Sequence, residues 1–313
     1  MRLILTILFS FIIFCSDAQI IRANAYYTPL SQPLLLDVYT GAAAAYSLRK
    51  LRTAYTGSAI RVRRSNNNAE QDIGFVGVDL DTVSLKNFVG ANSGFVTTWY
   101  DQSGNARNAT QTAANNQPRI INAGTVERRS GDISLVYDGS NDFLEAVSTT
   151  GLTISPTSFY AVSSRGNTAN ALRTVFSTGI LASTTGYGIF YSLTEAPAFT
   201  QDRLYNQVRF TTGTAQNTGV YTNALNTNNL FFSTVTTTSN DTWYNGGNNQ
   251  NQTYSYSNNT TSRDITIGCI RSNTGLIAHY LNGTTTEIVL WSSNQSANRT
   301  GIETNINSFY AIY

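Results

Sequence analysis

Few side chains in this sequence are equipped for chemistry, and that scarcity is the first constraint. His279 is the only histidine, so a Ser-His-Asp or Cys-His relay would have to rest on one ring. Cys15 falls in an apolar N-terminal run, which leaves Cys269 alone, with no partner for a disulfide or a cysteine zinc cluster. It reads as a small buried hydrophobe. Asp101 stands in Asp-Gln-Ser-Gly, where short Asp and Ser side chains bond their own backbone and fix a turn. Asp138 and Asp142 flank Gly139 and carry oxygens of the kind calcium takes, although that ion needs six or more ligands. No other cofactor is indicated. A sugar ring is usually held by an aromatic face and a few fixed polar groups, and Tyr187, Tyr191, Tyr205, Trp243 and Tyr244 are the candidate rings. The arginine pairs Arg63-Arg64 and Arg128-Arg129 read as solvated surface charge.

The elements that must position these groups are mostly strands. Short runs of Val, Ile, Tyr, Phe and Thr recur between Gly and Asn, as in Ile60–Arg64, Val96–Tyr100, Ser158–Ser163, Gly188–Ser192, Asn229–Thr236 and Thr286–Trp291. That is strand and turn chemistry, and many short strands in succession predict an all-β sandwich. A few short helices accompany it. Ala42 to Tyr55 combines four alanines with Leu48, Leu51 and Tyr55 at helical spacing and predicts a helix. Asp81 to Val89 predicts a second, capped by Asp81 and stopped by Gly90. Ala297 to Tyr310 predicts a closing helix with Asn298 as its cap. Between Thr211 and Ser262 the chain is rich in Asn and Thr, but Leu230-Phe231-Phe232 and Trp243-Tyr244 anchor it to a core. Asn245-Gly246-Gly247-Asn248 is the strongest turn signal.

Arg2 to Phe14 is one basic residue followed by an apolar stretch, shorter than the ~20 residues of a membrane-spanning helix. It reads as a signal peptide ending in Ser16-Asp17-Ala18. Residues 1–18 are thus expected to be removed, and 19–313 to form one domain that is secreted or displayed at the cell surface, with no membrane attachment after cleavage. Phe14 before Cys15 argues against lipidation. With 20 basic and 18 acidic residues there is no basic stripe for phosphates, and nucleic acid is not an expected partner.

Several blocks carry a resemblance. Val136-Tyr137-Asp138-Gly139-Ser140-Asn141-Asp142-Phe143-Leu144, Trp243-Tyr244-Asn245-Gly246, and Gly283 leading into Glu287-Ile288-Val289-Leu290-Trp291 resemble a concanavalin-A-like, laminin-G-like jelly roll. Ala44-Ala45-Tyr46-Ser47-Leu48-Arg49, Val62-Arg63-Arg64-Ser65, Asp72-Ile73-Gly74 and Thr98-Trp99-Tyr100-Asp101-Gln102-Ser103-Gly104-Asn105 are, in that order, similar to the catalytic domain of the α-L-arabinofuranosidase B family. Phe159-Tyr160-Ala161-Val162 and Glu303-Thr304-Asn305-Ile306 continue the likeness over most of the chain. The resemblance implies a glycan partner and a retaining glycosidase scaffold, in which two carboxylates stand ~5 Å apart. Glu195, with Phe199 and Thr200 behind it, matches the family's nucleophile segment, although Leu193 replaces an aspartate there. The acid/base aspartate falls on Ile270, which cannot transfer a proton, and Thr174-Val175-Phe176 replaces an adjacent cysteine pair. The expectation is therefore glycan binding on an altered arabinofuranosidase-like scaffold. The alternatives are a working α-L-arabinofuranosidase with a relocated acid such as Asp202 or Asp264, or a structural or adhesion protein of the surface.

Overall fold

The computed structural model describes residues 32–147, 152, 154–166, 172–179, 185–192, 203–211, 214–222, 225–257, 264–271 and 277–313. The strands of the sandwich are, in chain order, β1 (Ala42–Ser47), β2 (Ile60–Arg64), β3 (Glu70–Ile73), β4 (Gly94–Trp99), β5 (Ala109–Thr110) and β6 (Arg119–Asn122). They continue with β7 (Leu135–Asp138), β8 (Leu144–Ala146), β9 (Thr157–Arg165), β10 (Leu172–Ser177), β11 (Gly186–Ser192) and β12 (Arg203–Thr211). The last are β13 (Thr214–Thr222), β14 (Asn229–Val235), β15 (Ser239–Tyr244), β16 (Gly247–Thr253), β17 (Ile265–Ile267) and β18 (Asn282–Trp291). Among the described residues three short α-helices accompany them, α1 (Leu35–Val38), α2 (Thr82–Val89) and α3 (Arg299–Tyr310).

All of these strands pair antiparallel, in two layers. One layer runs β3-β2-β4-β6-β7-β18-β9-β14-β15-β16, with β1 beside β7 on the same edge of β18, and the other β5-β8-β17-β10-β11-β12-β13. They join where β4 meets β5, with Trp99 opposite Ala109, so the whole is a single sheet folded over on itself. Phe159 of the first layer stacks on Tyr187 of the second at 4.9 Å and meets Phe176 edge-on at 5.3 Å. This is the jelly-roll-like β-sandwich expected from the strand and turn pattern.

The outer side of β9, β14 and β18 is apolar as well. Phe159 and Ala161 point into the main core, whereas Tyr160 and Val162 pack with Val289, Trp291, Ile302 and Ile306 beneath α1 and α3. Strands covered on both faces lose the usual polar alternation. That double burial explains one correction. Ala42–Ser47, expected to be helical, is strand β1, which pairs with β18. Ala44 and Tyr46 face the main core and Ala42 and Ala45 the layer under α3, so tertiary packing overrides alanine's helix preference.

Other local readings hold. The Asp81 carboxylate accepts from the Ser84 N–H at 2.9 Å and caps α2, and Gly90 ends that helix at φ +62°. Asn245 (φ +48°) and Gly246 (φ +73°) connect β15 to β16, with Tyr244 opposite Gly247, as a two-residue turn with two positive φ angles requires. At the start of α3 the outcome differs. Asn298 occupies the cap position, but its side chain bonds Gln295 at 2.7 Å instead of capping the helix.

Candidate functional site

Ile270, at the position the resemblance gives to the acid/base, lies in a short strand (Ile270–Arg271) paired with Ile277–Ala278 on the outer side of the second layer. It is 2% exposed and packs with Phe190 and Ala278. Val175 and Phe176, where the family carries its cysteine pair, are wholly buried in the main core. Glu195 lies outside the described residues, as do Leu193, Phe199, Thr200 and Asp202. Glu145 of β8, a carboxylate beside Ile270's strand, approaches Arg271 Nε at 3.0 Å. Burial pushes Glu145 above the ordinary carboxylate range; Arg271 opposes the shift and Asp264 adds to it. Burial also lowers the pKa of His279, helped by Arg173, which favours the neutral ring. Cys269 is buried, and its thiol is pushed up to about 12, chiefly by burial.

The five candidate aromatic rings are spread over β11, β12 and β15, with Tyr191 and Tyr244 both near Asn229. Tyr187 is stacked in the core, Tyr191 is buried with its hydroxyl on Ser163 Oγ at 2.7 Å, and Tyr205 sits opposite Phe190 at 3% exposure. Trp243 is half-buried, with Phe232 at 6.0 Å and the Arg299 guanidinium over its ring at 4.9 Å. Tyr244 donates its hydroxyl hydrogen to Asn229 Oδ1 and packs on the main core.

A large pocket opens elsewhere, on the outer side of the first layer. Its floor is a transverse row: Arg63 of β2 stands opposite Phe95 of β4, Phe95 opposite Arg119 of β6, and Arg119 opposite Val136 of β7. Directly paired residues share a face, so these four project together, away from Val62, Val96, Ile120 and Leu135 in the core. The walls are the turn at Ala114–Asn116, Arg129, the turn from Asp138 to Asp142, Asn226 and Asn282, enclosing about 790 Å³. Gly139 (φ +82°) lets that last turn pass Asn282, where a Cβ would come within 2.8 Å of the asparagine. Asn282 Nδ2 donates to the Asp138 carbonyl at 3.0 Å, and Arg173 donates to the Gly139 carbonyl at 2.9 Å, fixing the wall.

The pocket's charges are unequally engaged. Arg63 donates to Gln117 Oε1 (2.7 Å), Asn68 Oδ1 (2.9 Å) and the Ala114 carbonyl (3.1 Å), and lies over Phe95 at 5.0 Å. Arg119 Nε pairs with Glu127 at 2.7 Å. Arg129 Nε is buried without a hydrogen-bond partner. Asp138 Oδ1 accepts from the Ser140 N–H at 2.7 Å. Asp142 Oδ2 accepts from the Asp138 N–H at 3.0 Å, and burial, then Asp138's charge, pushes its pKa up to about 7. The two aspartates thus brace their own turn, and among the described residues no group of three or more His, Cys, Asp or Glu is placed to hold a metal ion. Asp101 is engaged in the same way, accepting from the Ala45, Ser103 and Arg107 N–H groups and from Ser103 Oγ.

No protein-family model matches the chain, and no curated protein matches it in sequence. Solved structures do match, and they define the class of fold as an arabinofuranosidase-like β-sandwich. An arabinofuranosidase complexed with arabinofuranosyl-α-1,2-xylobiose aligns with TM-score 0.64 at 15% identity over 87% of this chain. A glutamate-to-glutamine mutant of a GH54 α-L-arabinofuranosidase soaked with 4-nitrophenyl α-L-arabinofuranoside gives 0.65 at 15%, and a GH54 α-L-arabinofuranosidase soaked with a cyclic sulfate inhibitor gives 0.63 at 14%. The match spans 64% of the length of each of those proteins.

Proposed function

We propose that this chain is a carbohydrate-binding protein, secreted or held at the cell surface after loss of residues 1–18, and that it uses an arabinofuranosidase-like sandwich without its hydrolytic machinery. The observation that carries the reading is the environment of Ile270. At the position to which the sequence resemblance assigns the proton donor there is an apolar side chain, 2% exposed, in contact with Phe190 and Ala278. Loss of positioned proton transfer costs a glycosidase on the order of a hundred- to ten-thousand-fold. Two features support carbohydrate as the partner: the solved neighbours were crystallised with arabinofuranosyl ligands, and the polar pocket of about 790 Å³ has the size of small-molecule sites.

A second reading, retained hydrolysis, is favoured by one observation. Glu145 is a half-buried carboxylate with a raised pKa beside Arg271, a property suited to an acid catalyst. The experiment that separates the two is hydrolysis of 4-nitrophenyl α-L-arabinofuranoside, whose leaving group needs little acid assistance, alongside affinity electrophoresis on arabinan and arabinoxylan. The binding reading expects retardation on polysaccharide and no turnover above that of a Glu195→Gln variant. Turnover abolished by Glu195→Gln and slowed by Glu145→Gln establishes a hydrolase instead. Neither binding nor turnover favours a purely structural or adhesive role.

A further inference from the structure

Three guanidinia line the pocket on the first layer, and they differ in what is left to offer. Arg63 spends its donors on Gln117, Asn68 and Ala114, and Arg119 is paired through Nε to Glu127. Among the described residues Arg129 makes no ion pair, and its Nε–H is buried with no acceptor. A buried donor left unsatisfied on a charged group carries its full desolvation cost, and a guanidinium matches a carboxylate through two parallel hydrogen bonds. The rest of the wall is not cationic. Asp138 and Asp142 face the arginines, with amides at Asn115, Asn141, Asn226 and Asn282 around them. Such a surface suits a ligand with one negative charge and many hydroxyls. Hydroxyls donate to carboxylates and accept from amides, whereas a polyphosphate or a nucleic acid would be repelled by the two aspartates.

We infer that this pocket binds a uronic acid residue of a glycan, its carboxylate held by Arg129 with Arg119 beside it, and its hydroxyls by Asp138, Asp142 and the ring of asparagines. The inference rests on the carbohydrate reading above and assigns a site on the opposite layer from Ile270. A consequence follows for pH. The charged groups lining the pocket are Arg63, Arg119, Arg129, Asp138 and Asp142, with Glu127 behind Arg119 and Arg173 behind Gly139. Together they leave two net positive charges when Asp142 is protonated and one when it is ionised. Asp142 titrates near 7, so the bound carboxylate is favoured on the acid side of neutrality.

The test is isothermal titration calorimetry of the full chain with three acidic probes: trigalacturonate, a glucuronic-acid-substituted xylo-oligosaccharide and trimannuronate. The methyl ester of each acid that binds and neutral arabinotriose are titrated alongside. At least one acid is expected to bind at pH 6, its methyl ester at least ten-fold more weakly, and Arg129→Gln to reproduce that loss. Arg129→Lys, which keeps charge and bulk but not the planar fork, should fall between. Arg128→Gln, an exposed neighbour that donates to the Gly131 carbonyl, should leave affinity unchanged. Equal binding of acid and ester, acid binding indifferent to Arg129→Gln, or no binding of any acid overturns the assignment. The ester comparison uses the unmodified chain, so it decides even if a variant fails to fold. Arabinotriose binding that survives Arg129→Gln while all acids fail would sink the uronate site alone; failure of every sugar, neutral ones included, would sink the carbohydrate reading with it.

Discussion

Glu287 of β18 is a buried charge with five hydrogen bonds, and removing its partner should be costly. The carboxylate is fully buried. Its Oε2 accepts from Ser47 Oγ (2.6 Å), Arg49 Nε (2.8 Å) and Tyr310 Oη (2.8 Å), and its Oε1 from Arg49 Nη2 (2.9 Å) and Tyr160 Oη (2.5 Å). Burial alone would raise its pKa, but the Arg49 charge and the hydrogen bonds from Arg49, Ser47 and Tyr160 hold it below the ordinary value of 4.5. Arg49→Met removes the cation and two of these bonds and leaves a buried charge with only hydroxyl partners. Breaking such a pair by deleting one member costs about 3–5 kcal/mol. In Arg49→Met/Glu287→Leu no charge remains, and the loss shrinks to three orphaned hydroxyls at roughly 1 kcal/mol each. The double variant should therefore be no less stable than Arg49→Met alone. Urea unfolding followed by fluorescence of the buried Trp99 and Trp291 reads both. The pair's contribution is fully present above the unfolded carboxylate's pKa of 4.5 and is lost as pH falls through the lower folded one, so the gap between wild type and Arg49→Met should narrow as the medium is acidified below 4.5. A cost under about 1 kcal/mol for Arg49→Met, or additive single losses, would refute the reasoning.

Three further outcomes are expected. Asp142, with its folded pKa of about 7 above the unfolded 3.8, opposes folding increasingly as pH rises through that window. Asp142→Asn should thus gain about 2 kcal/mol at pH 8, discounted for solvent at the pocket rim, and gain nothing at pH 3.5, as thermal melts at the two pH values will show. Asp101→Ala strips the acceptor from the buried Ala45 N–H and from the Ser103 and Arg107 N–H groups; a loss of about 3 kcal/mol in urea unfolding is expected, and a loss below 1 would mean water replaces the carboxylate. Gly268 sits at φ +87° with a would-be Cβ 2.5 Å from the Tyr137 ring, so Gly268→Ala should cost about 2–3 kcal/mol by the same assay, and an unchanged midpoint would show that Tyr137 gives way.

What could be read from the sequence was local. Asp81 and Gly90 bound α2 because capping and stopping are set within a few residues, and Asn245-Gly246 specifies its turn for the same reason. Ala42–Ser47 misled because four alanines favour helix in isolation, and only the layer beneath α3 makes their small size useful in a strand. Tyr187 and Tyr191 were attractive sugar platforms by type, yet both occupy inward positions of β11. The pocket was the harder case. Its residues run from Arg63 to Gly283 and meet only through strand register. One signal was present: Arg61 and Arg63 alternate with the core residues Ile60 and Val62, which put them on the opposite face from the core, but nothing nearby in sequence announced Phe95 and Arg119 as their neighbours.

Strand β18 has a consequence for how the molecule is made. One of its edges is shared by β7 (Leu135 opposite Thr285) and β1 (Ala45 opposite Val289), and the other is taken by β9 (Tyr160 opposite Val289). A ribosome that has delivered β1, β7 and β9 has therefore exposed three strand edges whose common partner does not exist until residue 291 emerges. Unpaired edges are templates for pairing between molecules, and contacts this distant in sequence form slowly. Synthesis of this protein should thus depend on holding the nascent chain apart from its copies until β18 emerges, and a stop codon between residues 260 and 280 should yield aggregate instead of a smaller folded domain.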